Sequence, residues 1–251
     1  MATLADQVAD WIAAAVLDSG TRGAVVGLSG GVDSAVTAAL CKRSLGEHVL
    51  GVILPCESDG RDEADARLLA CELELMTVTA RLDRSFGSLA EELRAQRGLA
   101  RANLKPRLRM ACLYYFANAL SYLVAGTGNK TELIIGYFTK YGDGGADILP
   151  LGGLYKTQVW QLARELKLPS RIIEKPPSAG LWEGQTDEDE LGITYERLDR
   201  ILGAIDLEET TGVAPGILAR VKNMITASAH KRACAQICEV RPPCVCATKK
   251  T

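Results

Sequence analysis

Long apolar runs are missing from this sequence: no stretch approaches the ~18 consecutive apolar residues that a membrane-spanning helix needs, so no span is expected. The segment Met1–Gly20 lacks a basic start followed by an apolar run and carries Asp6, Asp10 and Asp18, so no secretory signal is read there. The cytoplasm is the expected compartment. An excess of positive charge is also missing, with 29 Lys and Arg against 31 Asp and Glu and a formal net charge of -2. That argues against a nucleic-acid binder whose affinity comes from a basic surface. Internal repeats and low-complexity tracts are absent, and histidine is scarce, with two in the chain.

What is present fits an ordinary folded enzyme. The 251 residues, 47% hydrophobic and 24% charged, are enough to bury one large core, and residues 1–251 read as a single domain with a Cys- and Pro-rich tail from about 233. Of the eight cysteines, Cys41, Cys56, Cys71 and Cys112 sit in apolar surroundings and read as small hydrophobes of a reduced compartment. Cys234, Cys238, Cys244 and Cys246 cluster near the end, with His230 upstream. These are zinc-ligand types, but the spacing is not a common paired pattern, so a mostly reduced tail is the expected state.

Hydrophobic periodicity sets out the elements. Helical spacing covers Met1–Ser19, Asp33–Leu45, Asp62–Leu73, Pro106–Leu120, Lys156–Leu168, Tyr195–Ile205 and Pro215–His230. Short apolar runs read as strands at Ala24–Leu28, His48–Leu54, Met76–Leu82 and Leu123–Gly126. Strands separated by helices imply an α/β fold: a doubly wound, mostly parallel sheet with helices on both faces, followed by C-terminal helices. Ligands of such sheets bind beyond the carboxyl ends of the strands, where two Gly-rich turns fall. Gly136–Gly153 and Lys175–Glu190 read as active-site loops, the second of a length suited to a lid.

The first Gly-rich turn, Gly27-Leu28-Ser29-Gly30-Gly31-Val32-Asp33-Ser34, lies between a strand and a helix. Its glycines let backbone approach a ligand, and the following helix aims free N–H groups at the turn, which suits pyrophosphate. Asp33 is misplaced beside phosphates unless a divalent cation such as Mg²⁺ bridges them. The stretch has no Gly-Lys-Ser/Thr of a Walker A loop and lacks dinucleotide-fingerprint spacing. It does fit a G-x-S-x-G elbow, with Ser29 as nucleophile, but that chemistry also needs a histidine, and the chain has few. A tight turn with no ligand is the bland alternative.

The Ser-Gly-Gly-x-Asp-Ser loop resembles the ATP loop of the N-type ATP pyrophosphatases. Three further blocks, Gly126-Thr-Gly-Asn-Lys-Thr-Glu132 with Gly136–Asp147, Leu154–Val159, and Lys175–Ala179 leading to Asp187-Glu188, are similar to the signatures of NAD synthetases. His230-Lys231-Arg232 completes the order, and the resemblance runs from about residue 4 to residue 232.

The resemblance implies an adenine nucleotide alpha hydrolase-like fold and ammonia-dependent amidation of deamido-NAD, with ATP split to AMP and pyrophosphate through an acyl-adenylate. It assigns the ATP phosphates to Gly27, Leu28, Ser29, Gly30, Gly31, Val32, Asp33 and Ser34, with Thr127, Lys156 and Ser178 also contacting ATP. Mg²⁺ falls to Asp33 and Glu132, and Asp33, Glu132 and Lys156 form the catalytic set. Arg107, Lys140, Asp147, His230 and Lys231 are assigned to deamido-NAD, whereas Arg109 is expected to serve only as a surface charge. Many relatives carry Thr in place of Ser178, so the hydroxyl is kept. A homodimer is implied, with helices near Arg107 and the C-terminal part at the interface. A chain that starts some twenty residues before the ATP loop is expected to hold no fused glutaminase, although a separate one can serve it. The rivals are another ATP pyrophosphatase, such as a tRNA thiolase or a nucleobase-amidating ligase, and a non-catalytic nucleotide-binding module.

Overall fold

The computed structural model describes residues 2–96, 98–182 and 184–239. Strands β1 (Ala24–Gly27), β2 (Val49–Ile53), β3 (Met76–Thr79) and β4 (Leu123–Ala125) form a sheet in the order β3-β2-β1-β4. All three pairings are parallel, with Ala24 opposite Val49 and Leu123, and Leu50 opposite Met76. The order reverses between β1 and β4, which opens a crevice at their carboxyl ends.

Alternation along the strands explains the two covered faces. Ala24, Val26, Val49 and Ile53 pack into one core cluster, and Val25, Leu50, Val52 and Val124 into another. On the first face lie α1 (Leu4–Asp18), α2 (Val32–Leu45), α3 (Gly60–Glu72), α8 (Lys156–Glu165) and α9 (Ser170–Ile173). On the second lie α4 (Asp83–Glu92) and α6 (Leu104–Leu120), the latter preceded by the short α5 (Leu99–Ala102). The doubly wound reading holds. Helix α2 is buried along most of its length, from Val32 to Cys41 apart from Asp33, as expected for a helix covered by the sheet and by its neighbours.

A third cluster joins α7 (Lys130–Ile135), α10 (Asp187–Leu191), α11 (Tyr195–Asp206) and α12 (Pro215–Ala227) through Ile135, Leu191, Tyr195, Leu198 and Val221. These are the expected C-terminal helices, with one difference. The helix read as Pro215–His230 breaks at Ser228, whose hydroxyl donates to the Met224 carbonyl at 2.7 Å, and α13 (Ala229–Arg232) follows. Helix α6 starts two residues before Pro106, which therefore sits in the first turn, where its missing N–H costs nothing.

The Gly136–Gly153 loop is ordered against the sheet. Gly126 N–H donates to the Ile148 carbonyl at 2.8 Å, and Ala125 bridges Ile148 in parallel. A Cβ on Gly126 would fall 2.6 Å from Ala146 Cβ, so this approach requires glycine. No helix among the described residues is long and apolar enough to cross a membrane. In the cysteine tail, Cys234 and Cys238 are exposed, while Cys244 and Cys246 lie outside the described residues.

Candidate active site

The two Gly-rich turns meet at the crevice between β1 and β4. In the first, Ser34 Oγ donates to the Gly31 carbonyl at 2.9 Å, and Ser29 Oγ lies 3.0 Å from Ser34 Oγ. Gly31 caps α2 with no side-chain hydrogen bond, leaving the first-turn N–H groups of a 14-residue helix directed at the turn. Neither histidine serves Ser29: His48 Nδ1 contacts Tyr122 Oη and His230 Nδ1 the Ala227 carbonyl. That removes the hydrolase reading.

Gly30 adopts φ +78°, and a Cβ there would stand 2.4 Å from the backbone oxygen of Asp62. Backbone cannot yield as a side-chain tip can. Gly30→Ala is therefore expected to cost about 1–3 kcal/mol and to weaken ATP binding by displacing the turn. Thermal unfolding and an ATP titration check both.

The second turn supplies Asn129, a buried residue that the sequence reading passed over. Its Nδ2 donates to Asp33 Oδ1 at 2.9 Å, and its Oδ1 accepts from Glu132 N–H at 3.0 Å. Glu132 returns the bond by accepting from Asn129 N–H at 3.2 Å, closing a capping box on α7. Asn129 thus holds Asp33 and Glu132 side by side. The Asn-x-x-Glu spacing of a capping box is the signal that would have found it.

Lys156 completes the cluster. Its side chain is buried, and Nζ lies 2.5 Å from Asp33 Oδ2, 3.3 Å from Glu132 Oε1 and 5.1 Å from the Tyr195 ring centre. Burial alone would pull the ammonium pKa down, but Asp33 and Glu132 outweigh it and the group ends above its ordinary value. For Glu132, burial pushes the carboxyl above its ordinary range and Asp33 adds to this, while Lys156 and the Asn129 N–H pull the other way. The lysine backbone is fixed from α7 and α11: Lys156 N–H donates to Thr131 Oγ1 at 3.0 Å, and Thr157 N–H donates to Asp199 Oδ2 at 2.8 Å. A cavity of about 40 Å³ opens beside Glu132, lined also by Thr127, Gly128, Phe138 and Asp143.

The residues assigned to deamido-NAD divide into groups. Lys140 Nζ donates to the carbonyls of His230 and Ala233, the latter at 2.9 Å, and Arg107 donates to the Lys140 carbonyl at 3.4 Å. Lys231 Nζ donates to the Gly136 and Phe138 carbonyls at 2.7 and 2.8 Å. Arg107, Lys140, His230 and Lys231 therefore share one neighbourhood, adjoining the Phe138 wall of the cavity. Asp147 is held elsewhere: its carboxylate accepts from Val124 N–H at 2.8 Å and from Tyr114 Oη at 3.0 Å. Ser178 is exposed and accepts from Gly180 N–H at 3.1 Å.

Arg109 corrects an expectation. It is no surface charge: it donates to the Leu54 carbonyl at 3.1 Å and to Ser58 Oγ at 3.0 Å, at the carboxyl end of β2, and burial lowers its pKa. Its place on the core-facing side of α6 brings it under the loop after β2.

The architecture and the sequence are matched together in known proteins. The NAD synthase family model matches residues 4–235. The NH(3)-dependent NAD(+) synthetase of Carboxydothermus hydrogenoformans is 49% identical, over 90% of this chain and 93% of its own length. A solved NH3-dependent NAD synthetase from Campylobacter jejuni, 30% identical, superposes with a TM-score of 0.83 over 94% of this chain and 98% of that one. An NMN synthetase from Francisella tularensis, 36% identical, does so with a TM-score of 0.87 and the same coverage. With a crevice built from two Gly-rich turns around Asp33, Glu132 and Lys156, and with matches spanning nearly its whole length, this chain belongs to the NAD synthase family.

Proposed function

We propose that the chain amidates deamido-NAD with ammonia at the expense of ATP, the last step of NAD biosynthesis, with ATP bound in the β1–β4 crevice. The carrying observation is the Asp33–Lys156–Glu132 cluster, a buried lysine between two half-buried carboxylates, at the mouth of an uncapped helix beside the Gly27–Ser34 turn. The nicotinate carboxylate attacks the ATP α-phosphorus, the bond to the β-phosphate oxygen breaks and pyrophosphate leaves. Ammonia then attacks the acyl carbon, loses a proton, and AMP departs. No protein nucleophile is needed, so the protein contributes positioning and charge.

Lys156 carries a positive charge held against Asp33 of the turn, and Ser29, Ser34 and the N–H groups of α2 are donors for the phosphates. Asp33 and Glu132 give the cluster one net negative charge when both are ionised, and they are the residues whose hard oxygens would hold Mg²⁺. When bound, the ion supplies charge neutralisation to the phosphates. Thr127 and Ser178 are the further ATP contacts, and Arg107, Lys140, Asp147, His230 and Lys231 the residues for deamido-NAD.

One domain carries these steps, with residues from about 233 as a tail, and the cytoplasm is the compartment. A homodimer is supported by α6, an apolar-rich 17-residue helix in which Lys105, Pro106 and Ala117 are the buried residues and Tyr115 is largely exposed.

Incubation with ATP, Mg²⁺, ammonium and deamido-NAD should give NAD and AMP in equal amounts, read by chromatography, with glutamine a poor replacement for ammonium. The Francisella tularensis likeness supplies the competing acceptor. Turnover of nicotinate mononucleotide in preference to deamido-NAD would move the assignment to the mononucleotide.

A further inference from the structure

Resting on that ATP-site reading, we infer that Lys175 is a positioning residue that clasps the 174–186 segment to the phosphate turn. Lys175 stands just after α9, at the start of the segment that carries Ser178. Its Nζ donates to Asp62 Oδ1 at 2.6 Å and Asp65 Oδ2 at 2.7 Å, both on α3, and to the Gly30 carbonyl at 3.4 Å. One ammonium therefore joins three elements: the segment, α3 and the turn read as holding the ATP phosphates.

The partners suit a fixed clasp. Asp65 is buried and also meets Arg171 Nε at 2.6 Å, so α9 and the segment grip the same carboxylate. Gly30 already lies so close to the Asp62 backbone that no Cβ fits between them. A shift of Lys175 is thus transmitted to the turn through contacts with little slack. Further along, the segment is closed on itself by Asp187 N–H donating to the Pro177 carbonyl at 2.9 Å. It is held at its far side by Lys105 Nζ donating to the Leu181 carbonyl at 3.1 Å. Ser178 is the first residue beyond the Pro177–Asp187 neck, three residues from the clasp. Without Lys175 the neck survives while its attachment to the phosphate turn is lost.

An ordinary surface ion pair would contribute little here. A positioning role predicts a selective effect. Lys175→Met should raise the KM for ATP by about tenfold or more, change the KM for deamido-NAD less than about twofold, and leave the thermal transition close to that of the parent chain. Lys175→Arg should restore most of the loss, since the guanidinium can still reach both carboxylates. Asp62→Asn should reproduce part of the defect, and adding Lys175→Met to it should have a smaller effect than in the parent.

Calorimetric titration of the unaltered and variant chains with a non-hydrolysable ATP analogue reads the clasp apart from amidation. Weaker binding in the Lys175→Met chain supports the clasp, and if that variant does not fold, the Asp62→Asn titration decides on the same criterion. Equal affinities, or an equal rise in both KM values, overturn the clasp while leaving the reaction assignment standing. Failure of the unaltered chain to bind the analogue overturns both.

Discussion

Lys156→Met should lower kcat/KM for NAD formation by on the order of 10³-fold while leaving a folded protein of reduced stability. The side chain is buried and its ammonium is hydrogen-bonded to both Asp33 and Glu132. Methionine keeps the length and apolar stem but removes the charge. Breaking a buried pair from one side typically costs about 3–5 kcal/mol, because the partner is left uncompensated. Relief is available here, since burial and Asp33 already hold the Glu132 carboxyl above the usual carboxylate range. Losing Lys156 removes the cation that pulls it down, which favours the neutral acid and lightens the buried charge, while Asp33 keeps its bond to Asn129. The stability loss should therefore fall near the low end, about 3 kcal/mol, or roughly 6–12 °C in Tm. The catalytic loss has no such relief: charge that develops on the phosphates loses the ammonium held against Asp33 and Glu132. Steady-state kinetics with ATP varied, beside a melting curve, separates the two effects, and near-normal turnover would remove Lys156 from the catalytic set.

Much of this arrangement is legible in the sequence because local and global signals agree. The apolar runs at Ala24 and Val49 end in turns that glycine and proline mark, and both became central strands. Other elements were passed over for identifiable reasons. Helix α4 carries Phe86 and Ala90 inward at four-residue spacing from its capping residue Leu82, but its polar face and Gly87 hide the pattern. Helix α7 has six residues, too short to show a period, and declares itself only through its capping box. Arg109 was misjudged because a charge on a helix two residues from another charge says nothing about which points inward. That depends on the crossing of α6 over β2. Asp199 shows the same limit: its bonds to Thr131 and Thr157 join segments far apart in sequence. The nucleotide turn was readable since its chemistry lies in eight consecutive residues. The clasp of Lys175 was not, since its partners sit on α3.

Replacing the two carboxylates of the cluster tests whether they act as a unit. Asp33→Asn and Glu132→Gln each keep size and one acceptor oxygen, so the Asn129 capping network has a partner in either variant, while the oxygen that accepts from Lys156 is lost. Each removes one negative charge beside Lys156, and neither leaves two hard anionic oxygens for a divalent ion. We expect each to reduce kcat by on the order of 10³-fold. Their Tm values should move little: Lys156 keeps one carboxyl partner in either case, and holding two charged carboxylates there is costly because burial disfavours the ionised form of Glu132. The double variant should be scarcely slower than either single one, because a two-ligand site fails once one ligand is gone. It should be less stable than both, since Lys156 then lies buried without either of its hydrogen-bonded carboxylates. Additive losses in kcat would mean that Asp33 and Glu132 serve separate steps. Additivity with unchanged Mg²⁺ dependence would detach them from metal binding altogether. The measurement is a Mg²⁺ titration of initial rates for the parent chain and all three variants.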